Sequence, residues 1–527
     1  MFGFKNKQLI SKDIKKDTYS KPIIKNNNYE KRNIPRSLIE VKKSLNKDFS
    51  LCSDFVIREF QIGKLQTKVF IAFFDGFVDK HILSQNVIDP IIKYNGDCEK
   101  LSALELLRTK IISSSSLSEV KIYEQSVDAI AAGDAVIYID GESSAFIIGV
   151  RDPEKRAVTD PEMEVTIKGS REGFNESIRT NIILLRRRIK SPQFKVESFK
   201  LGEETKSELS ICYIEGIVKP EIVEEVKNRI KRIKIDAILG SGYIEQFIQD
   251  GKFSMFPLVG NTEKPDKVAG KLLEGRVAII VDGTPTVLTV PFLFIETIQV
   301  PEDYFGEYLF STFIRTLRFI SFIIAIYLPA MYVAITSFHQ TIIPFKLILS
   351  MAASREGIPF SPFIESLLMI LTFEILREAG IRMPRAIGQA VSIVGAVVLG
   401  DAAVSAGIAS APLIIVAALS GICSFIIPPL MKVESILRIM LLIAANILGL
   451  LGIGIVTIIL ITYLCNKRTF GIPFLTPFSP LHTDDLKDSL IVVPIWRMFT
   501  RPRALTEGQD VIRSEGRPSF NRRDKHD

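Results

Sequence analysis

Apolar and polar positions follow one another on a short period through the N-terminal half of the chain, then give way to long apolar runs between Phe319 and Asn466. Asp54–Gln61 and Thr67–Phe74 are short, β-branched or aromatic, and bounded by polar or glycine residues, which predicts two strands. Helical spacing of apolar residues predicts helices over Asp79–Tyr94 and Tyr123–Ala132. From Gly133 to Val150 two β-rich runs flank Asp140-Gly141, a hairpin signature in which glycine supplies the positive φ of a tight turn. A second unit follows the same scheme. It has a strand over Glu208–Val218, then a helix opened by Lys219-Pro220 that runs to Ile235 with Val226, Ile230 and Ile233 at helical spacing. A helix over Asp266–Glu274 then leads into Gly275 to Pro291, with Asp282-Gly283 at the turn. Gly133 matches Gly275, and Asp140-Gly141 matches Asp282-Gly283, which predicts two related α/β subdomains, 49–150 and 196–300, from a duplication. Between them, 151–195 is a linking segment with a basic helix, apolar at Leu184-Leu185 and cationic at Arg186-Arg187-Arg188. Its basic face is either solvated or set against a neighbouring subunit or lipid headgroups. Residues 1–48, rich in Lys, Asn and Ser, are expected to be a disordered basic tail.

The apolar half, 301–466, predicts an α-helical polytopic membrane domain. Phe319–Phe338 is an uncharged span preceded by Arg315 and Arg318, with Pro329 able to kink it. Residues 363–379 mix apolar side chains with Glu365, Glu374, Arg377 and Glu378, which predicts an interfacial helix or a fifth span with its acids turned inward. Ala386–Met431 is too long for one helix, and Gly407, Ser410 and Pro412 divide it into spans near 386–405 and 411–431. The first of these is rich in small residues and carries Gln389, Ser392, Asp401 and Ser405. It is read either as the tight centre of the bundle or as the lining of a water-filled pore in an oligomer. A last span is expected over 439–464, followed by a soluble tail, 467–527, whose acidic run Asp484-Asp485-Leu-Lys-Asp488 is read as a solvated turn. Charge bias leaves open whether there are four spans or five.

Composition alters this picture in three places. A mean hydropathy of +0.25 beside 24% charged residues reflects segregation of the two classes along the chain. The net charge of +7 lies in the tails and beside the apolar runs, which points to anionic lipid and not to nucleic acid. The five cysteines include no C-x-x-C pair and the four histidines are scattered, so reduced structural thiols, no metal site and no cofactor are expected. No apolar segment follows the N-terminus, so the soluble region is expected on the cytoplasmic side. Phosphate-loop, H-E-x-x-H and G-x-S-x-G patterns are missing from the sequence, and no enzyme is expected.

Several longer motifs carry a resemblance. They are Arg151-Asp-Pro-Glu, Gly169-Ser-Arg-Glu-Gly-Phe-Asn-Glu176, Asn181 to Arg188 and Gly275 to Gly283. Ile387 to Gly395, Gly400-Asp-Ala-Ala-Val404 and Asp485 to Leu490 with Pro494-Ile-Trp-Arg497 complete the set. In this order they resemble the A subunits of the GerA-type spore germination receptors, from about Phe49 to about Arg503. The resemblance implies a nutrient receptor subunit in the inner membrane of a bacterial spore, working with B and C subunits. It implies a homo-oligomer, a pentamer, that forms a nutrient-gated cation channel. It also raises the pore reading, in which Val394, Val397, Val398 and Asp401 line the path. The competing readings are a non-conducting scaffold that relays nutrient binding, and a transporter or lipid scramblase, for which no inverted repeat is visible.

Overall fold

A computed structural model of the chain describes residues 32–62, 67–93, 117–150, 164, 168–251, 253–382, 400–498 and 500–507. The first subdomain runs through helix Leu38–Asp48, strands β1 (Phe55–Ile62) and β2 (Thr67–Phe74), and a helix over 80–92 with a π-turn at Ser84–Ile88. Strand β3 (Leu117–Val120), helix Tyr123–Ala131, β4 (Ala135–Ile139) and β5 (Ala145–Ile148) complete it. The second subdomain has helix Ile178–Arg188, β6 (Phe194–Leu201), β7 (Ser207–Ile214) and helices Pro220–Lys231 and Ser241–Ile248. It ends with β8 (Gly260–Thr262), helix Pro265–Leu273, β9 (Val277–Val281) and β10 (Val287–Val290). The two antiparallel sheets have matching orders, β1-β2-β4-β5-β3 and β6-β7-β9-β10-β8. This is the duplication expected from the two Asp-Gly hairpins.

Alternation along β7 builds a core on each face of the second sheet. Leu209, Ile211 and Tyr213 meet the Pro220–Lys231 and Ser241–Ile248 helices, while Cys212 and Ile214 meet Ile178–Arg188 and Pro265–Leu273. The Asp-Gly turns have a second job in both copies. Asp140 Oδ1 accepts from the Leu38 amide at 3.3 Å and Gly141 N donates to Arg36 O. Asp282 Oδ1 accepts from the Ile178 amide at 3.2 Å and Gly283 N donates to Glu176 O. Each hairpin therefore satisfies one orphan donor at the start of its own leading helix.

Two boundaries move accordingly. The tail expected through residue 48 gives way to the helix Leu38–Asp48, which buries Val41 and Leu45 in the first core. Its lysines dominate the sequence there and hide those two apolar positions. The basic helix of the linking segment is a wedge between the subdomains. Ile183 belongs to the first core, and Ile178, Ile182, Leu184 and Leu185 to the second. Arg186, expected on an outer basic face, is buried and pairs with Asp54 at 2.5 and 2.6 Å while stacking on Phe74. Residues 51–53 also pair with the edge of β6, where Ser53 N donates to Val196 O and Val196 N to Leu51 O.

The C-terminal half is a bundle of helices Tyr308–Phe338, Phe345–Ala353, Pro362–Arg382, Ala411–Ser424, Met431–Leu448 and Leu450–Asn466. Among the described residues, Tyr308–Phe338 alone is long and apolar enough by itself to cross a membrane. Ala411–Ser424 and Pro428–Leu448 qualify together across a 111° bend, and Leu450–Asn466 is a shorter apolar helix. The single span expected over 439–464 is two helices folded back at Gly449, whose φ of 59° breaks the run. The tail then returns to the second subdomain, where Phe470, Ile472 and Leu505 enter the core. Lys219 N donates to Leu505 O, and Glu507 N to Ile217 O. In the first subdomain the corresponding donor, Asp79 N, reaches Val150 O of the chain that directly follows β5. The chain after β10 leaves for the bundle, and the tail fills the same seam from afar.

Candidate functional site

The bundle contains more charge than a lipid-facing helix tolerates, and the structure shows where it goes. Pro329 sits inside Tyr308–Phe338 and lacks the amide that would reach the carbonyl four residues back. That carbonyl belongs to Ala325, and Arg438 Nε donates to it at 2.8 Å. Arg438 is buried in the middle of the bundle, where a proline creates a need for a donor. Glu374 lies beside it, 3.6 Å from Arg438 Nη1, accepting from Ser435 Oγ at 2.8 Å and paired with Arg377. Glu434, one turn before Arg438, is fully buried, and among the described residues neither of its carboxyl oxygens has a hydrogen-bond partner.

Glu365 forms a second polar centre at the opposite end of the same helix. It is fully buried, and its Oε2 accepts from the Ser410 amide at 3.2 Å and the Ser410 hydroxyl at 3.0 Å. Arg355 Nη2 stands 3.0 Å from the other oxygen, and Tyr332 Oη is 3.3 Å from Ser410 Oγ. Glu365 and Glu374 thus face protein, while Glu378, nearer the C-terminal end of Pro362–Arg382, is exposed and pairs with Arg382 at 2.6 Å.

Of the residues expected to line a pore, Val394, Val397 and Val398 lie outside the described residues, as do Gln389 and Ser392. Asp401 and Ser405, four residues apart and so on one helical face, are exposed on the outside of the single-chain bundle. This end of the small-residue stretch is not packed at the bundle centre. Gly407 follows at a φ of 63°, against Gly357.

Where the bundle meets the soluble region, charges again turn inward. Arg315 Nε donates to Asp303 at 3.1 Å, and its Nη1 reaches Asp488 Oδ1 at 3.0 Å and Ser489 O at 2.8 Å. Arg318 holds both oxygens of Asp303 at 2.9 Å. Tyr304 Oη donates to Asp488 at 2.9 Å. Asp488 therefore belongs to a buried network and not to a solvated turn. Burial and the nearby Glu274 push its carboxyl above the usual range, against Arg315. A parallel cluster ties the second subdomain to the chain entering the bundle, with Glu296 between Lys271 at 2.9 Å and Arg276 at 3.0 Å. Burial lowers the Lys271 ammonium to about 8, although Glu296 opposes the shift. Among the described residues no group of three or more His, Cys, Asp or Glu could hold a metal ion.

Residues 43–504 match the model of the Bacillus/Clostridium GerA spore germination protein family. The chain belongs to the GerA family. It is 44% identical over 463 residues to the uncharacterized membrane protein YfkQ of Bacillus subtilis, covering 87% of this chain and 89% of that protein. It is 40% identical to spore germination protein KA of Bacillus subtilis, covering 91% and 88% respectively, and 38% identical to GerLA of Bacillus cereus, covering 91% and 98%. Among solved structures, the N-terminal domain of the A subunit of the Bacillus megaterium spore germinant receptor GerK3 is 34% identical. That match covers 50% of this chain and 98% of that one, with a TM-score of 0.41. The resemblance read from the motifs and the match to the GerA model point to one family. Neither Arg438 nor Asp488 stood out in the sequence as a structural centre. The signal that could have found Arg438 was Pro329, which leaves a carbonyl in need of a partner inside the bundle.

Proposed function

We propose that this GerA-family chain is the A-type subunit of a germinant receptor. It sits with B- and C-type partners in the inner membrane of a spore, and copies of it, as a pentamer, surround a nutrient-gated cation path. The observation that carries this reading is the exposure of Asp401 and Ser405 on the outside of the single-chain bundle. A carboxylate facing hydrocarbon is costly, whereas one facing a shared aqueous axis gathers cations. Val394, Val397 and Val398, earlier on the same stretch, supply the apolar constriction that closes such a path.

The helix contacts support a common topology. Tyr308–Phe338 leaves the soluble region. Pro362–Arg382 returns, with Glu365 level with Ser410 and Tyr332, and Glu374 level with Ser435. Met431–Leu448 leaves, and Leu450–Asn466 comes back past Tyr327. Because the tail docks on the second subdomain, crossings come in an even number. If the Pro362–Arg382 helix crosses, a further crossing must accompany it to keep the count even, which favours four or six crossings over five. Both the soluble region and the tail lie on the cytoplasmic face, which is the core side in a spore.

The test is membrane potential in vegetative cells that express this chain with its B and C partners. Asp401→Asn is expected to reduce nutrient-dependent cation flux, because the ring of charge that gathers cations is lost. Val398→Ala is expected to depolarise cells without nutrient. Nutrient-dependent flux that neither substitution alters would place the conducting path in another subunit.

A further inference from the structure

The first bundle helix is longer than a hydrocarbon core. Its 31 residues extend about 46 Å at about 1.5 Å per residue. A bilayer offers about 30 Å of hydrocarbon and about 40–45 Å with its headgroup layers. The surplus is the first three turns, Tyr308 to Arg318, on the side of the soluble region. A helix standing in water there would show charge. This one shows Phe310, 63% exposed, Phe313, 61% exposed, and Leu317.

Its charged side chains are turned away from that face. Arg315 and Arg318 point inward to Asp303 and Asp488. The hydroxyls of Thr312 and Thr316 donate back to the carbonyls of Tyr308 and Thr312, each at 2.8 Å, so their donors are satisfied within the helix. The apolar stripe continues without interruption into Ile320 and Ile323, the exposed face of the span itself.

The tail lies alongside. Val492 N donates to Thr312 Oγ1 at 3.0 Å, and that hydroxyl is 3.2 Å from Val492 O. This anchor places Ile495 and Trp496 beside Tyr308 and Leu309, where they line a cleft of about 430 Å³. Ile495 and Trp496 are themselves exposed, with Arg497 next in the chain. Tyrosine and tryptophan beside a cation suit the boundary between headgroups and acyl chains.

We propose that this surface is a phospholipid-binding site. The first three turns of Tyr308–Phe338 and the tail around Trp496 sit in the headgroup layer on the side of the soluble region, and a lipid acyl chain occupies the cleft. The proposal rests on the membrane reading above. It makes the tail a membrane-surface element as well as a strap on the second subdomain.

Trp496 is the only tryptophan in the chain, so its fluorescence reports on this surface alone. The full chain is reconstituted in vesicles of phosphatidylcholine and phosphatidylglycerol carrying bromine either near the headgroup or near the chain end. Trp496 is expected to lose most of its emission to the shallow bromine, less to the deep one, and little to aqueous iodide. Trp496→Phe combined with Ile458→Trp moves the reporter to the exposed middle of the last helix, where the deep bromine should quench it. If that second reporter responds and Trp496 does not, the proposal falls, through water if iodide reaches Trp496 and through a covering protein copy if neither quencher does. If neither tryptophan responds to brominated lipid, the membrane reading falls with it.

Discussion

Arg186 is the residue on which the two α/β subdomains turn. Its guanidinium grips both oxygens of Asp54 and lies 3.8 Å over the ring of Phe74, so one side chain from the second unit is embedded in the first. Removing it leaves Asp54 almost wholly buried and unpaired, which costs about 3–5 kcal/mol. Arg186→Met in the full chain is expected to lower the unfolding temperature by several degrees and to open the junction to protease. Adding Asp54→Leu should recover much of the loss, because an apolar pair of similar volume replaces a buried ion pair with little penalty. If the double variant melts as low as Arg186→Met alone, the pair is not what joins the units. The sequence shows three consecutive arginines here and offers no way to choose among them. Arg187 and Arg188 pair with Glu172 nearer the surface, and only the wedge position of the helix turns Arg186 inward.

At the scale of elements, what was legible was whatever repeats or has a strong period. Thr67–Phe74 has the bounds its pattern predicts, and the two Asp-Gly hairpins fall where their turns place them. The leading helix of the first unit was missed although Val41 and Leu45 fall on one face, because its lysines continue the basic, polar stretch before it. The fold-back at Gly449 was missed for another reason: an apolar window registers composition and is blind to one backbone angle. At that glycine φ is 59° and a Cβ would lie 2.9 Å from His339 and 3.1 Å from Phe338. Gly449→Ala is expected to cost about 1–3 kcal/mol through strain and crowding, read as a lower melting temperature in detergent. Gly454→Ala, where a Cβ meets nothing within 4 Å, is the matched control and should be neutral or slightly stabilising. Equal effects of the two would mean that the hairpin does not depend on that angle. The candidate pore was legible only as a stretch of small and polar residues, most of which lie outside the described residues.

For the whole molecule, the tail binds the parts together. Leu505 is fully buried in the second core, Thr506 pairs with Val218, and Asp488 holds the first bundle helix through Arg315. Leu505→Asp places a charge in that core and is expected to raise amide hydrogen exchange at Ile217–Lys219 by an order of magnitude or more, about 1.4 kcal/mol or above in local opening. Exchange in β1 and β2 of the first subdomain should hardly change, since their core contains no tail residue. Unchanged exchange at Ile217–Lys219 would mean that the seam holds without the tail. Composition marked the tail from Asp484 only as polar and basic, because a strap that borrows a place in a distant core needs few apolar residues.

That borrowed place also sets an order of events during synthesis. The first subdomain has every residue of its seam once Val150 has emerged from the ribosome. The second must wait until Leu505 has emerged, after all the bundle helices have been made. In the membrane arrangement proposed above, a chain whose helices insert with the wrong parity delivers its tail to the opposite side of the bilayer, and the second subdomain is left with an open edge that proteases and chaperones can recognise. Closure of a domain in the aqueous phase thus becomes a check on how the membrane part was threaded.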